Sequence, residues 1–326
     1  MLIDVHNHFY PPAYLDALRS GGSVVHVTRD REGNPCVHYP GDVNVAVRGH
    51  RDIVWRREVL EREGVDVQIL SLTTPGTHVE APERAIALSR LVNDAFAAIT
   101  REHAPRFRAL ATLPLSDPGA SVLELRRAMT ECGFAGAMLF SNVNGVPLAD
   151  ARFEPLFAEA DRLHAVLYIH PTNPASVDAM REYWLMPLVG FLFDTTLAAA
   201  HLVFAGVPER NPNIRFVLSH LGGAVPYMAE RLDRGWRAFP DCRRHISRAP
   251  SEYLREFYFD TVNFDPVALR EAVDFAGADH VLAGSDYPHQ IGSIASMKES
   301  LAAVHVTPEE RARMLGENAA RLFRLQ

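Results

Sequence analysis

Short apolar runs rich in β-branched and aromatic residues recur along the chain, and each is followed by a segment with helical spacing. Eight such runs cover residues 2–5, 65–72, 107–115, 136–140, 165–169, 214–218, 257–262 and 280–283. Their apolar character is continuous rather than alternating, as strands covered on both faces require. The pattern therefore predicts parallel strands joined by crossover helices, and eight such units close into a (β/α)8 TIM barrel. Between the runs, residues 82–102, 120–132, 153–163, 266–276 and 296–304 have the periodicity of amphipathic helices. Ser116-Asp117-Pro118 and Thr307-Pro308-Glu309-Glu310 read as helix starts, each a capping side chain followed by proline in the first turn.

One stretch departs from a minimal barrel. Residues 21–50 form an insertion after the first strand, marked by Gly21-Gly22, Asn34-Pro35 and Pro40-Gly41 turn signals. Within it, residues 24–28 and 36–39 predict a β-hairpin. Because it leaves the C-terminal end of its strand, it is expected to lie lid-like over the face where barrel active sites form. The most apolar long stretch, 185–206, is interrupted by Pro187, Asp194, Thr195, Thr196 and His201. It reads as a buried or subunit-interface helix rather than a membrane span.

Composition narrows the function classes. The length of 326 residues suits one barrel domain, 1–326, with insertions. A net charge of −7, scattered and without a block of Lys or Arg, argues against nucleic acid as a partner. The start Met1-Leu2-Ile3-Asp4 lacks a secretory signal pattern, so a cytoplasmic location is expected. Cys36, Cys132 and Cys242 lie far apart without a CxxC pair, which predicts neither a disulfide framework nor a thiolate metal site.

The candidate chemistry lies in histidines and one aspartate. His6-Asn7-His8 follows the first strand, and alternation along an extended chain points both imidazoles to one side. With 15 His in the chain, chance alone supplies about 0.7 HxH pairs, so position decides the weight of the motif. His170 ends the fifth run, His220 the sixth and Asp286 the eighth, and a closed barrel brings these ends to one rim. Nitrogen and carboxylate ligands converging there describe a catalytic divalent-metal site. His164 and His280 open their strands and belong to the opposite face, while His103, His201, His245 and His305 fall in helices or surface connections. His26, His38, His50 and His78 lie in loops able to overhang the site, and His289, just after Asp286, is placed to meet substrate. Arg48 and Arg51, then Arg231 and Arg234, are candidates to grip a substrate carboxylate, with Trp184 and Phe9 as candidate pocket walls.

These rim residues carry a family resemblance. His6-Asn7-His8, His170-Pro171, Ser219-His220-Leu221-Gly222-Gly223 and Gly284-Ser285-Asp286-Tyr287-Pro288 together resemble the amidohydrolase-related superfamily (amidohydrolase 2). Tyr183-Trp184-Leu185, Leu188-Val189-Gly190 and Gly223-Ala224-Val225-Pro226-Tyr227 are similar to its aminocarboxymuconate-semialdehyde decarboxylase branch. The likeness runs from Val65 to the C-terminus, is strongest from Tyr168 onward, and is vague across residues 21–51. Where the branch continues Asp-Tyr-Pro with Phe, this chain has His289. The resemblance implies that His6, His8, His170 and Asp286 bind zinc, with manganese as another divalent candidate, and that His220 is the general acid/base. It further implies decarboxylation of a small unsaturated or aromatic carboxylic acid, with His220 or protonated Asp286 returning a proton to carbon. It also implies a homodimer in which Arg231 reaches the neighbour's site. A hydrolase or hydratase on the same scaffold shares every ligand and is the alternative at this point, while a catalytically silent barrel is opposed by the intact ligand set.

Overall fold

Eight parallel strands form the barrel in this computed structural model, which describes residues 1–20, 23–174 and 177–325. In chain order they are Ile3–Asp4, Val67–Leu70, Phe107–Ala109 with Ala111–Thr112, Gly136–Phe140, Val166–His170, Arg215–Leu218, Tyr258–Asp260 and Val281–Leu282. The 107–115 run is thus one barrel strand in two short pieces. Leu110 bridges them and still donates its N–H to Leu70 O at 2.9 Å. Strands one and eight close the ring: Val5 N–H reaches Ala283 O at 2.9 Å, and Asp286 N–H reaches His6 O at 2.8 Å.

The continuous apolar runs divide between two cores. In the fifth strand, Val166 and Tyr168 join the barrel interior with Ile3, Val5, Ile69 and Val217, while Leu167 and Ile169 pack outward against the helices. His170 continues the inward register of Val166 and Tyr168, so the two-residue period alone aims it up into the barrel mouth. At the other end Ala319, Leu322 and Phe323 of the C-terminal helix plug the barrel floor.

The helices form where the periodicity places them. Pro82–Glu102 and Pro266–Ala276 match the expected bounds, and Asp117 caps Pro118–Thr130 by accepting from Ala120 N–H at 2.9 Å. Thr307 and Glu310 form the reciprocal capping box. The apolar stretch becomes a π-helical turn, Met186–Gly190, leading into the helix Phe191–Phe204. Residues 186–204 have the length and hydropathy of a membrane span. One face is nevertheless built into the barrel wall, where buried Asp194 accepts hydrogen bonds from Ser141 and Asn142.

The insertion differs from the expected hairpin. It holds a three-stranded antiparallel sheet, His26–Arg29, Pro35–Tyr39 and Asp42–Val45. The Pro40-Gly41 turn creates the third strand, whose mixed polarity gives a weak signal because all four of its residues are half-buried. Gly21-Gly22 lies outside the described residues. Tyr39 and Asn44 fasten the sheet down: Tyr39 Oη donates to Thr74 Oγ1 at 2.9 Å, and Asn44 Nδ2 donates to Thr74 O at 2.9 Å.

A fully buried arginine welds the insertion's end to the barrel. Arg56 Nε donates to Gly49 O at 3.0 Å, and Nη1 donates to Asn7 Oδ1 at 2.8 Å and to Gln68 Oε1 at 3.2 Å. Its Nη2 donates to His8 O, and its guanidinium lies 4.9 Å from the Tyr287 ring centroid. Replacing it strands four buried acceptors at once. Arg56→Met, which keeps the volume but removes every donor, is expected to lower stability by about 3 kcal/mol or more in urea unfolding. Arg56→Lys should recover only part of that loss, because one ammonium cannot reproduce the guanidinium fork.

Candidate active site

The barrel mouth gathers all five residues picked out at the strand ends. His6 and His8 follow the first strand, His170 ends the fifth, and His220 and Asp286 follow the sixth and eighth. All five are at least nine-tenths buried. His220 and Asp286 are placed there by backbone in the left-handed region, with φ of 52° and 55°. That conformation is costly for residues with a Cβ and persists where surrounding structure enforces it.

Hydrogen bonds fix the tautomers of three imidazoles. His6 Nδ1 lies 2.5 Å from Asp260 Oδ2, so Nδ1 carries the proton. Ser71 Oγ donates to Asn7 O at 2.8 Å, which leaves it only as an acceptor toward His8 Nδ1, 3.2 Å away. His170 Nδ1 faces Pro171 O at 2.8 Å and is therefore also the N–H. Each ring, when neutral, then has its lone pair on Nε2. His6 Nε2 and His8 Nε2 stand 3.2 Å apart, and Asp286 Oδ1 lies 3.4 Å from the first and 3.3 Å from the second. His170 contributes a nitrogen within 4.8 Å of those of His6 and His8. Asp286 Oδ1 is buried with no hydrogen-bond partner. Acceptors about 3.3 Å apart mark the edges of a tetrahedron with metal–ligand bonds of about 2.0 Å, so this donor set fits a divalent cation.

The electrostatics point the same way. Burial alone would push His6 down, but Asp260 beside it, with Asp286, lifts it to about 10. A field that binds a proton so firmly also favours a metal cation in the proton's place. Burial, with His289 and His6 nearby, pushes His8 down to about 3, and burial, with His6, pushes His220 down to about 4. Burial opposes ionisation of Asp286, but His6 and His8 against its carboxylate, with His289 nearby, hold it well below the usual range. Without a cation His6 holds its second proton, whereas His8 and His220 are neutral and Asp286 is ionised.

Asp260, at the end of the seventh strand, escaped the sequence reading. It lies within a predicted strand, and only its place beside the rim histidines distinguishes it from any buried polar residue. Besides His6, its carboxylate accepts from Tyr168 Oη at 2.5 Å, His220 N–H at 3.1 Å and Leu221 N–H at 3.1 Å.

Above the histidines opens a cavity of about 320 Å³, walled by Asp42, Asn44 and Val47 from the insertion and by Phe191, His289 and Ile291. Trp184 lies at its mouth, 63 % exposed. The arginines are not brought to it. Arg48 pairs with Asp52 at 2.8 Å and lies over Trp55, while Arg51 donates to Ala46 O at 3.1 Å and faces a separate cleft. Arg231 projects from the exposed face of Val225–Ala238, and Arg234 pairs with Glu230 at 3.1 Å. Phe9 is buried behind the site, packed against Phe96 rather than lining the cavity. His289 does line it, with Nε2 3.2 Å from Thr73 Oγ1 and its ring 5.0 Å from that of His8.

Comparison with known proteins places this geometry. The amidohydrolase family model matches residues 3–325. A 2-amino-3-carboxymuconate-6-semialdehyde decarboxylase of Dictyostelium discoideum is 35 % identical over 97 % of this chain and 90 % of its own length. The crystal structure of a 5-carboxyvanillate decarboxylase from Sphingomonas paucimobilis superposes with a TM-score of 0.87 at 26 % identity, covering 100 % of this chain and 99 % of the other. A dihydroxybenzoic acid decarboxylase from Polaromonas sp. JS666, solved with bound manganese and the inhibitor 2-nitroresorcinol, has a TM-score of 0.82 at 26 % identity. It covers 99 % of this chain and 97 % of its own. Matched by the family model along nearly its whole length and by decarboxylases of the same fold, this chain belongs to the amidohydrolase family, in its decarboxylase branch.

Proposed function

We propose that the protein is a divalent-metal-dependent decarboxylase of small aromatic or unsaturated carboxylic acids, acting as a homodimer. One observation carries the reading: His6 Nε2, His8 Nε2 and the Asp286 carboxylate converge at 3.2–3.4 Å in the buried barrel mouth, the spacing of ligands around one divalent ion. His6, His8, His170 and Asp286 would hold the ion. The tetrahedral spacing favours zinc, and the manganese in the Polaromonas relative makes that ion the alternative. When bound, the ion supplies the Lewis acidity that draws charge onto a substrate oxygen as the carbon–carbon bond breaks.

The chain's own residues do the rest. Phe191 and the insertion wall the space above the site and narrow its access to water, which strengthens charge interactions within it. The insertion thus works as a lid that is already fastened. His220, buried and with Nδ1 unpartnered, accepts a proton from the substrate or solvent and delivers it to the carbon that carbon dioxide leaves. Asp286, facing His6 and His8 at 3.4 and 3.3 Å, would serve there as a ligand.

A second copy fits the apolar face beside the mouth. Leu188, Phe193, Leu197 and Tyr227 are 49 %, 56 %, 51 % and 82 % exposed. The two segments that carry them abut where Ala224 N–H donates to Thr196 Oγ1 at 2.8 Å. Pairing through this face would cover the patch and carry Arg231 toward the neighbouring chain.

The purified protein is expected to hold about one divalent ion per chain by elemental analysis. His8→Ala should lose metal and carbon dioxide release together, whereas His220→Ala should keep the metal and lose roughly 10² or more in turnover. A metal-replete wild type that releases no carbon dioxide from any small aromatic acid refutes the activity. Asp260→Asn should weaken metal binding about 10–100-fold in a chelator competition, because it loosens the support of His6 rather than deleting a ligand. For the dimer, mixing Arg231→Ala with His220→Ala chains should restore activity if one site draws on both copies. Confirmed heterodimers without recovered activity would show that each site is self-contained.

A further inference from the structure

The cavity contains a second pair of imidazoles that the proposed reaction leaves unused. His50 is 1 % exposed and lines the cavity, yet neither Nδ1 nor Nε2 has a hydrogen-bond partner. Leaving both polar atoms of a buried ring unsatisfied is costly unless a ligand meets them. The ring of His289 lies 4.9 Å away, edge to face, with its Nε2 occupied by Thr73. The backbone makes this pairing specific. Gly49 packs so tightly against Tyr287 and Pro288 that a Cβ there would meet Tyr287 Oη at 2.5 Å and Pro288 Cβ at 2.9 Å. Arg56 holds the Gly49 carbonyl from below, so the turn that bears His50 is locked onto the segment that bears His289.

The charges around the pair limit what it accepts. Among the described residues, no Lys or Arg lines the cavity. Asp42 lines it too, near enough for its charge and that of His289 to affect each other. An anionic group at this end would face Asp42 with no cation in the wall to balance it. A hydroxyl, by contrast, donates one hydrogen bond and accepts another, and two neutral imidazoles provide the matching acceptor and donor.

Resting on the decarboxylase reading, we propose that His50 and His289 are the specificity-determining pair, selecting acids that carry a neutral hydroxyl on the ring. The third residue after Asp286 is then a selector of substrate polarity, with the insertion supplying its partner.

The test measures binding, so it does not depend on turnover. Calorimetry on the metal-loaded protein would compare 2-hydroxybenzoate, benzoate and benzene-1,3-dicarboxylate. The wild type is expected to prefer the hydroxylated acid over benzoate by at least tenfold. His50→Phe and His289→Phe should each erase most of that preference while metal content, by elemental analysis, is kept. His50→Gln, which retains a donor and an acceptor, should restore part of it and guards against a merely misfolded variant. Equal wild-type affinity for 2-hydroxybenzoate and benzoate, or a preference that survives both Phe variants, overturns the proposal. So does tight dicarboxylate binding that falls with the same substitutions, since the pair would then be reading an anion. Selective binding without carbon dioxide release from any of these acids would refute the decarboxylase reading and leave the assignment of the pair standing.

Discussion

The carboxylate of Asp260 is the contact on which the rest of the site depends. It is fully buried, and it receives His6 Nδ1, the Tyr168 hydroxyl and the backbone N–H groups of His220 and Leu221. Through these bonds one side chain joins the first, fifth, sixth and seventh strands. Burial raises its proton affinity, but the charge and hydrogen bond of His6 outweigh that and keep it ionised. A neutral Asp260 would leave His6 free to turn, and the left-handed backbone at His220 would lose two of its anchors.

The architecture was legible because a parallel barrel leaves a strong trace. Strands covered on both faces read as unbroken apolar runs, and 136–140 matches its strand residue for residue. The candidate site residues sit at the C-terminal ends of strands, so His6, His8, His170, His220 and Asp286 could be picked out by place in the pattern. What stayed hidden depends on contacts between distant segments. Asp260 looks like part of a strand, the third insertion strand has mixed polarity, and nothing local to Arg48 or Arg51 reveals that their side chains turn away from the cavity. Arg56, in a helix of otherwise ordinary polarity, gives no local sign that it is fully buried.

The insertion and the barrel divide the work. The barrel supplies donors whose tautomers are set by Asp260, Ser71 and Pro171. The insertion supplies walls and the unpartnered His50, and it lies where the family likeness was weakest. The proposed selectivity draws on both pieces, His50 from the insertion and His289 from the barrel, while other residues of the insertion can vary without touching the candidate ligand set.

The ring closure between the first and eighth strands has a consequence for synthesis. His6 and Asp286 are 280 positions apart, yet each Asp286 contact that organises the mouth, from its N–H to its carboxylate, is made with the first eight residues. A growing chain carries its histidines early and its aspartate late. Until the ribosome has delivered the eighth strand, those histidines have no carboxylate to complete them and no closed wall around them. The order of translation therefore leaves the mouth incomplete until the eighth strand has been made.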